Sequence, residues 1–257
     1  MEIILISIAA FITAILTFFS GFGLGTILTP VFVIFFPIDL AIALTGVVHL
    51  FNSLFKLVLV GKGADKKILV RFGIPAILAA VLGAWVLLSI TDLQPLFSYL
   101  LWGKEFEIIP IKLIIAVLLI GFAVIDLIPN FENLRTKPGL MPVGGALSGF
   151  FGGLSGHQGA LRSAFLVKSG LSKESFIATS VVIATFIDFT RLSVYSTRFL
   201  TSGLELNLQI AVFPTLSAIA GAFVGNRLLK KITLQFIQKL VAILLIIISI
   251  ALGAGWI

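Results

Sequence analysis

A glycine-rich polar stretch, residues 152–163, interrupts a long apolar segment in the second half of this chain. It holds His157, Gln158 and Arg162, while the residues on both sides of it are mostly apolar. Such flanks indicate membrane depth, where irregular backbone is tolerated only inside protein or beside a water-filled cavity. Because an ionisable residue at that depth is by default a functional hypothesis, the stretch predicts a broken helix at a binding site.

The composition supports a location in the membrane. Hydrophobic residues make up 59% of the 257 residues and charged residues only 11%, against about 25% in a soluble domain. The mean hydropathy is +1.20. Because one span needs roughly 20 apolar residues, the sequence predicts an all-α polytopic membrane protein. The candidate apolar runs are Ile3–Phe36, Leu40–Val60, Ile68–Ile90, Ile108–Ile128, Leu140–Lys168, Ser175–Arg198, Leu206–Leu229 and Leu234–Ile257.

The first and fifth of these runs are too long for one helix, and both contain a glycine-rich break. The earlier break, residues 20–25, is closed by Pro30. The two breaks fall at corresponding places of an internal repeat with an offset of 135 residues. We therefore predict a first membrane repeat at 1–130, a linker at 131–139 and a second repeat at 140–257. The matched pairs include Gly21 with Gly156, Asp39 with Glu174, Thr45 with Ser180, and Lys56 with Arg191.

Positive charge orients the repeats, because short cytoplasmic loops are enriched in Lys and Arg. We therefore expect the three basic connections on the cytoplasmic side. When the spans between these connections are counted, each broken run begins and ends on the same side of the membrane. The N-terminus is then outside. We predict two inverted repeats, each a glycine-broken membrane hairpin plus three transmembrane helices. The basic residues are Lys62, Lys66, Lys67 and Arg71, then Arg135 and Lys137, then Arg227, Lys230 and Lys231.

The apolar run after each break carries a polar stripe at helical spacing, and lipid cannot satisfy such a stripe. Each stripe also has a structural explanation. Lys56 can snorkel to the interface, and Asp188 can serve only as the ion-pair partner of Arg191. His49 and Asn52 can hydrogen-bond between helices without touching substrate. The stripes are Thr45, His49, Asn52, Ser53 and Lys56, and then Ser180, Asp188, Arg191 and Tyr195.

The polar groups at the second break are mainly hydrogen-bond donors. Guanidinium matches the paired oxygens of an oxyanion, and the N-terminus of a broken helix favours an anion. A cation site would instead need carboxylates and carbonyls, so we predict an anion site between the two breaks. The predicted substrate-binding residues are Arg162, His157, Gln158, Gly21, Gly23, Gly25, Gly156, Gly159, Ser163, His49 and Asn52. Entrance or gating roles are predicted for Lys56, Asp188, Arg191 and Tyr195.

These motifs resemble the signature of the TauE/SafE sulfite exporter family. The first copy is Gly21-x-Gly-x-Gly25, Pro30 and the run through Thr45; the second spans Gly156–Gly159 and continues to Ser180. The resemblance implies a multi-pass transporter of the plasma (inner) membrane for sulfite, thiosulfate, sulfoacetate or another organosulfonate. In the second copy His157 and Gln158 replace glycines and Phe165 stands where the motif has proline. This departure indicates that the second break is specialised for ligand contact.

The expected partners are a small anionic substrate and the lipid bilayer. Coupling to a proton or sodium and assembly into a homo-oligomer are left open. We expect no cofactor, no metal site and no nucleic-acid partner, because the chain has no cysteine, two histidines and no HExxH spacing. A transporter is predicted rather than an enzyme. The alternatives are a membrane enzyme acting on a small amphiphile, or an anion channel.

Overall fold

The computed structural model describes residues 1–18, 24–127, 138–166, 169–199, 205–228 and 234–257, which are mostly helical. Four of the described helical segments are long and apolar enough to cross a bilayer, and four shorter helices are also apolar. The helices of the first half are α1 (Glu2–Thr17), α2 (Leu24–Val33), α3 (Ile38–Val60), α4 (Lys66–Ile68), α5 (Ile74–Ile90) and α6 (Pro110–Leu127). Those of the second half are α7 (Met141–Ser155), α8 (Gly159–Leu166), α9 (Lys173–Phe199), α10 (Glu205–Leu228) and α11 (Leu234–Gly253).

The connection between α5 and α6 is a β-hairpin, which corrects the prediction of an all-α chain. Strands β1 (Phe97–Leu101) and β2 (Lys104–Ile108) pair in antiparallel register. Trp102 and Gly103 both have positive φ, at 52° and 74°, as a two-residue hairpin turn requires. The Tyr99 and Phe106 rings stack across the strands at 5.7 Å. Apolar runs do not reveal this hairpin, because each strand has only five residues and β2 contains Lys104, Glu105 and Glu107.

Both long apolar runs contain two helices instead of one. In the second run, α7 ends at Gly156, whose φ of +81° lies in the left-handed region that favours glycine. Helix α8 then begins at Gly159. In the first run, α1 and α2 are separate helices, and Gly21 and Gly23 lie outside the described residues. The predicted interruption is therefore present in the second run, while the break of the first run and the direction of both hairpins stay predictions.

The helices of the two halves pack crosswise. Helix α1 lies on α10 and α7 lies on α5, while α3 packs on α9 and α6 on α11. Helices α3 and α9 run antiparallel, because Asp39 at the start of α3 meets Arg198 at the end of α9. At the opposite end Gly63 lies beside Ala178. The linker boundaries are not tested, since residues 131–137 lie outside the described part of the chain.

Three glycines of α7 bring its backbone into direct contact with α5 and with the helical turn Leu69–Gly73 that precedes α5. Gly145, Gly149 and Gly153 recur every four residues. A Cβ on them would lie 2.2, 1.9 and 2.1 Å from backbone oxygens of Phe72, Ala76 and Ala80, respectively. Small residues at this spacing allow membrane helices to approach closely. The close contact fixes the helix that leads into the second break.

Adding one methyl group at this contact should destabilise the protein. We expect Gly149→Ala to lower the melting temperature in detergent, because overpacking a tight contact costs about 1–3 kcal/mol or more. Gly121→Ala is the matched control: it also adds one methyl group within a helix, but nothing lies within 4 Å of the added Cβ. Equal melting temperatures for the two variants would contradict the close α5–α7 contact.

Candidate functional site

The Asp188 carboxylate lies at the centre of a buried polar network. It is fully buried on α9 and contacts Nδ1 of His49 on α3. It accepts hydrogen bonds from Nε2 of Gln158 at 3.1 Å and from Nε of Arg191 at 3.0 Å. Asp188 is the buried carboxylate of the described residues. Because a buried charge needs a partner and hydrogen bonds, this one carboxylate joins α3, the second break and α9.

The Arg191 guanidinium is locked beside that carboxylate between two glycines. Its Nη2 lies 2.9 Å from Oδ1 of Asp188, and the side chain is fully buried. A Cβ on Gly46 would lie 3.3 Å from Arg191 Cζ, and one on Gly156 would lie 2.8 Å from Nη1. The two glycines therefore make room for the planar guanidinium. Nearby, the Tyr195 hydroxyl donates to the carbonyl of Gly153.

Gln158 links Asp188 to a second arginine. Its amide nitrogen donates to Asp188, while its Oε1 accepts a 2.9 Å bond from Nη1 of Arg162. Its backbone carbonyl accepts from the Ser148 hydroxyl at 2.9 Å. The side chain is completely buried. Since both ends of the amide are engaged by opposite charges, its orientation is fixed, and Gln158 holds Arg162 in place.

A cavity of about 40 Å³ lies between the C-terminal half of α3 and the N-terminal half of α9. Its polar wall contains two cations, Lys56 and Arg162, which are only 8% and 4% exposed. Within the described residues, Nε of Arg162 and the Ser180 hydroxyl have no hydrogen-bond partner. The wall includes no carboxylate, so it suits an anion. The lining residues are Thr17, Phe18, Leu24, His49, Ser53, Lys56, Arg162, Phe176, Ile177, Ser180, Val181 and Ala184.

The structure separates the predicted binding residues into two groups. Arg162 and His49 line the cavity, whereas Gln158 lies behind Arg162. His157 is also outside the cavity lining: its Nδ1 hydrogen-bonds the Ser155 carbonyl at 2.8 Å, and its ring stacks on Phe122 at 6.1 Å. His157 therefore packs against α6 and is not among the residues that line this cavity, and its role as a ligand donor stays a prediction.

Two of the remaining predicted binding residues, Gly25 and Gly156, lie where the two broken runs meet. A Cβ on Gly25 would lie 3.1 Å from the carbonyl oxygen of Gly156, so the two runs touch at these glycines. Gly159 begins α8. Ser163 Oγ and Asn52 Oδ1 are buried without a hydrogen-bond partner in the described part of the chain. Gly21 and Gly23 lie outside the described residues.

The structure places three of the four residues with predicted entrance or gating roles in the interior. Asp188, Arg191 and Tyr195 are at most 1% exposed in this conformation. The polar atoms of Arg191 and Tyr195 point inward, where the Asp188 carboxylate and the Gly153 carbonyl accept their hydrogen bonds. Lys56 alone of the four lines the cavity. A gating role for the three buried residues stays a prediction.

Sequence reasoning missed two residues that shape the site. Ser180 lines the cavity, and the repeat had indicated it, since it aligns with Thr45 of the polar stripe on α3. Gly46 allows Arg191 to pack on α3. A glycine inside a predicted helix is unfavourable and often marks close approach, which was the available signal.

The end of the molecule opposite the cavity is closed by an exposed ion-pair cluster. Arg198 on α9 donates to Asp39 on α3 at 2.9 Å. It also donates to both carboxylate oxygens of Asp92, which follows α5, at 2.7 and 2.8 Å. These bonds from Arg198 hold the pKa of the Asp92 carboxyl below its usual range. The cluster joins three elements at this end, so the two ends of α3 and α9 differ.

Removing the central carboxylate charge should unfold the site. We expect Asp188→Asn to lower the free energy of unfolding in mixed micelles by about 3–5 kcal/mol, because it leaves Arg191 buried without a counter-charge. The double variant Asp188→Asn/Arg191→Gln should recover part of this loss, since it removes both charges. Asp92→Asn, which removes an exposed partner of Arg198, is the control and should leave stability unchanged. A neutral effect of Asp188→Asn would contradict the central role of this carboxylate.

A family model described as Sulfite exporter TauE/SafE matches residues 6–252 of the chain. This match covers both broken runs, the polar network and the cavity. No curated protein and no solved structure matches the chain.

Proposed function

The chain belongs to the TauE/SafE sulfite exporter family, and on that premise we propose that it carries small sulfur-containing anions across the plasma membrane. Its family membership and its long apolar helices make the protein a membrane anion exporter. Sulfite, thiosulfate, sulfoacetate and other organosulfonates are the proposed cargo. The observation that carries the proposal is the cavity lined by Lys56 and Arg162 with no carboxylate.

The groups of this wall match the chemistry of a sulfur oxyanion. The guanidinium of Arg162 presents an unpaired Nε, and guanidinium binds tetrahedral oxygens in pairs. The Lys56 ammonium and the Ser180 hydroxyl are further donors on the same wall. The cavity of about 40 Å³ holds roughly three water molecules. It thus suits a compact anion better than an amphiphile, which disfavours the membrane-enzyme alternative.

The contacts between the halves support an inverted repeat. The pairs α1–α10 and α7–α5 exchange partners under the 135-residue offset, while α3 packs on its own counterpart α9. Because α3 and α9 run antiparallel, a two-fold axis relating the halves would be perpendicular to them. Such an axis lies in the membrane plane, as it does in inverted-repeat transporters.

The unequal ends of the repeat support alternating access. In this conformation the cavity lies at the end of α3 and α9 that holds Lys56 and Ser180. The repeat-related positions, Arg191 and Thr45, are fully buried at the other end. We propose that the opposite conformation opens this second position and closes the first as one half rocks against the other. The Arg198 ion-pair cluster would break in that transition.

Loss of the Arg162 charge should abolish transport. In proteoliposomes we expect Arg162→Gln to reduce sulfite or thiosulfate flux at least about 30-fold, because losing one member of a buried charge pair costs about 2–5 kcal/mol. Arg227→Gln is the matched control, since Arg227 is exposed and packs on Phe223. Both variants should elute as folded protein from a sizing column.

The same assay separates the alternatives. Saturable, slow flux supports a transporter, and single-channel currents would identify a channel. Conversion of a labelled lipid without flux would support an enzyme. Normal flux in the Arg162→Gln variant would remove the cavity from the transport path.

The cavity should be reachable from one side of the membrane only. The chain has no cysteine, so single cysteines report accessibility directly. We expect a membrane-impermeant thiol reagent to label Ser180→Cys from the same side as Lys66→Cys, which we place in the cytoplasm. Thr45→Cys, at the repeat-related buried position, is the matched control and should be labelled much more slowly from either side. Glu2→Cys should be labelled from outside, and labelling only from the cytoplasm would contradict the inverted orientation.

A further inference from the structure

We propose that the cavity selects divalent oxyanions over monovalent oxyanions of the same shape. This inference rests on the proposed function, because it takes the cavity as the site that holds the transported anion. It concerns the net charge of the transported anion. Sulfur-containing anions can carry one or two negative charges, so the proposed function does not decide this property.

The inference begins with the balance of buried charge. Among the side chains whose burial the structure describes, the buried ones of a charged type are Lys56, Arg162, Arg191 and Asp188. With Lys56 protonated and the histidines neutral, three cations and one carboxylate leave two positive charges. Because a buried charge without a counter-charge is unfavourable, an occupied site is most stable when the cargo supplies two negative charges.

The Asp188 carboxylate has no free capacity to balance the cavity. It already binds Arg191 through Nε and Nη2 and contacts Nδ1 of His49. Its remaining interaction is with the amide of Gln158. Arg162 reaches Asp188 only through that amide. The carboxylate therefore neutralises Arg191, and the positive charge of Arg162 faces the cavity.

Lys56 provides the second unbalanced charge. Its ammonium lies 5.0 Å from the centroid of the Phe18 ring, a contact that favours a cation. It forms no ion pair with a described carboxylate, and the other ionisable groups lining the cavity are His49 and Arg162. The remaining buried partners of the network, Asp188 and Arg191, are not among the residues that line the cavity. At the far end, Asp39 and Asp92 bind Arg198. At the cavity end, Glu174 in the first turn of α9 is exposed, and the Asp65 carboxylate accepts from the Ile68 amide, so neither acid lines the cavity.

A dianion can contact both cations at once, whereas a monoanion leaves one of them unbalanced. A charge-assisted hydrogen bond in a desolvated site strengthens binding by about 10- to 100-fold. Thiosulfate and methanesulfonate make a matched pair for this comparison. Both carry an SO₃ group, and they differ in a terminal sulfur that bears charge or a methyl group that bears none.

The experiment measures binding of both anions to the full-length protein in detergent by calorimetry, with flux in proteoliposomes as a second readout. We expect wild type to bind thiosulfate about 10- to 100-fold tighter than methanesulfonate. Lys56→Gln should bring this ratio close to one by weakening thiosulfate binding. Lys56→Arg should keep most of the preference because the charge remains. Lys66→Gln, an equal charge change at an exposed position, should leave the ratio unchanged.

The outcomes separate the two proposals. Transport of both anions with equal affinities in wild type would overturn the charge selectivity and leave the proposed function standing. A preserved ratio in the Lys56→Gln variant would overturn the role of Lys56 in that selectivity. If neither anion binds and neither is transported, the proposed function itself is overturned.

Discussion

The ion pair between Asp188 and Arg191 is the interaction on which the buried centre depends. Both groups are fully buried on one helix, three residues apart, so neither could stay charged there without the other. The same carboxylate engages His49 from α3 and Gln158 from the second break. Helices that would otherwise touch only through apolar side chains are thus tied at a defined register.

The glycines serve this pair as much as they serve the backbone. Gly46 and Gly156 leave the space that the Arg191 guanidinium occupies, and Gly156 adopts the left-handed conformation that ends α7. Gly25 then rests on the carbonyl of Gly156. Gly156 therefore ends α7, leaves space for the Arg191 guanidinium and contacts the other broken run at Gly25. The glycine-rich motif and the ion pair are two parts of one packing solution.

The sequence was sufficient to predict a mostly helical membrane protein and the interruption of the second long apolar run. Helical spacing assigns His49 and Asp188 to faces, but it does not show that they meet, because the partner depends on how α3 and α9 cross. The same limit applies to Gln158 and His157, which the sequence predicts as ligand donors without showing what each side chain contacts. Neighbours in sequence, they point to different helices: Gln158 to Asp188, His157 to Phe122. The β-hairpin was missed because it contributes no long apolar run.

One sequence difference between the repeats explains why Arg191 is held in an ion pair while Lys56 faces the cavity. Arg191 has Asp188 three residues before it, and the repeat-related Lys56 has Ser53 at the same spacing. In the second half the acid neutralises the cation, and the helices close around the pair. In the first half a hydroxyl cannot neutralise Lys56, and the cavity forms beside it. On the proposed function, a repeat that is symmetric in its helices therefore binds cargo asymmetrically, because only one of its two equivalent cations lacks a counter-charge of its own.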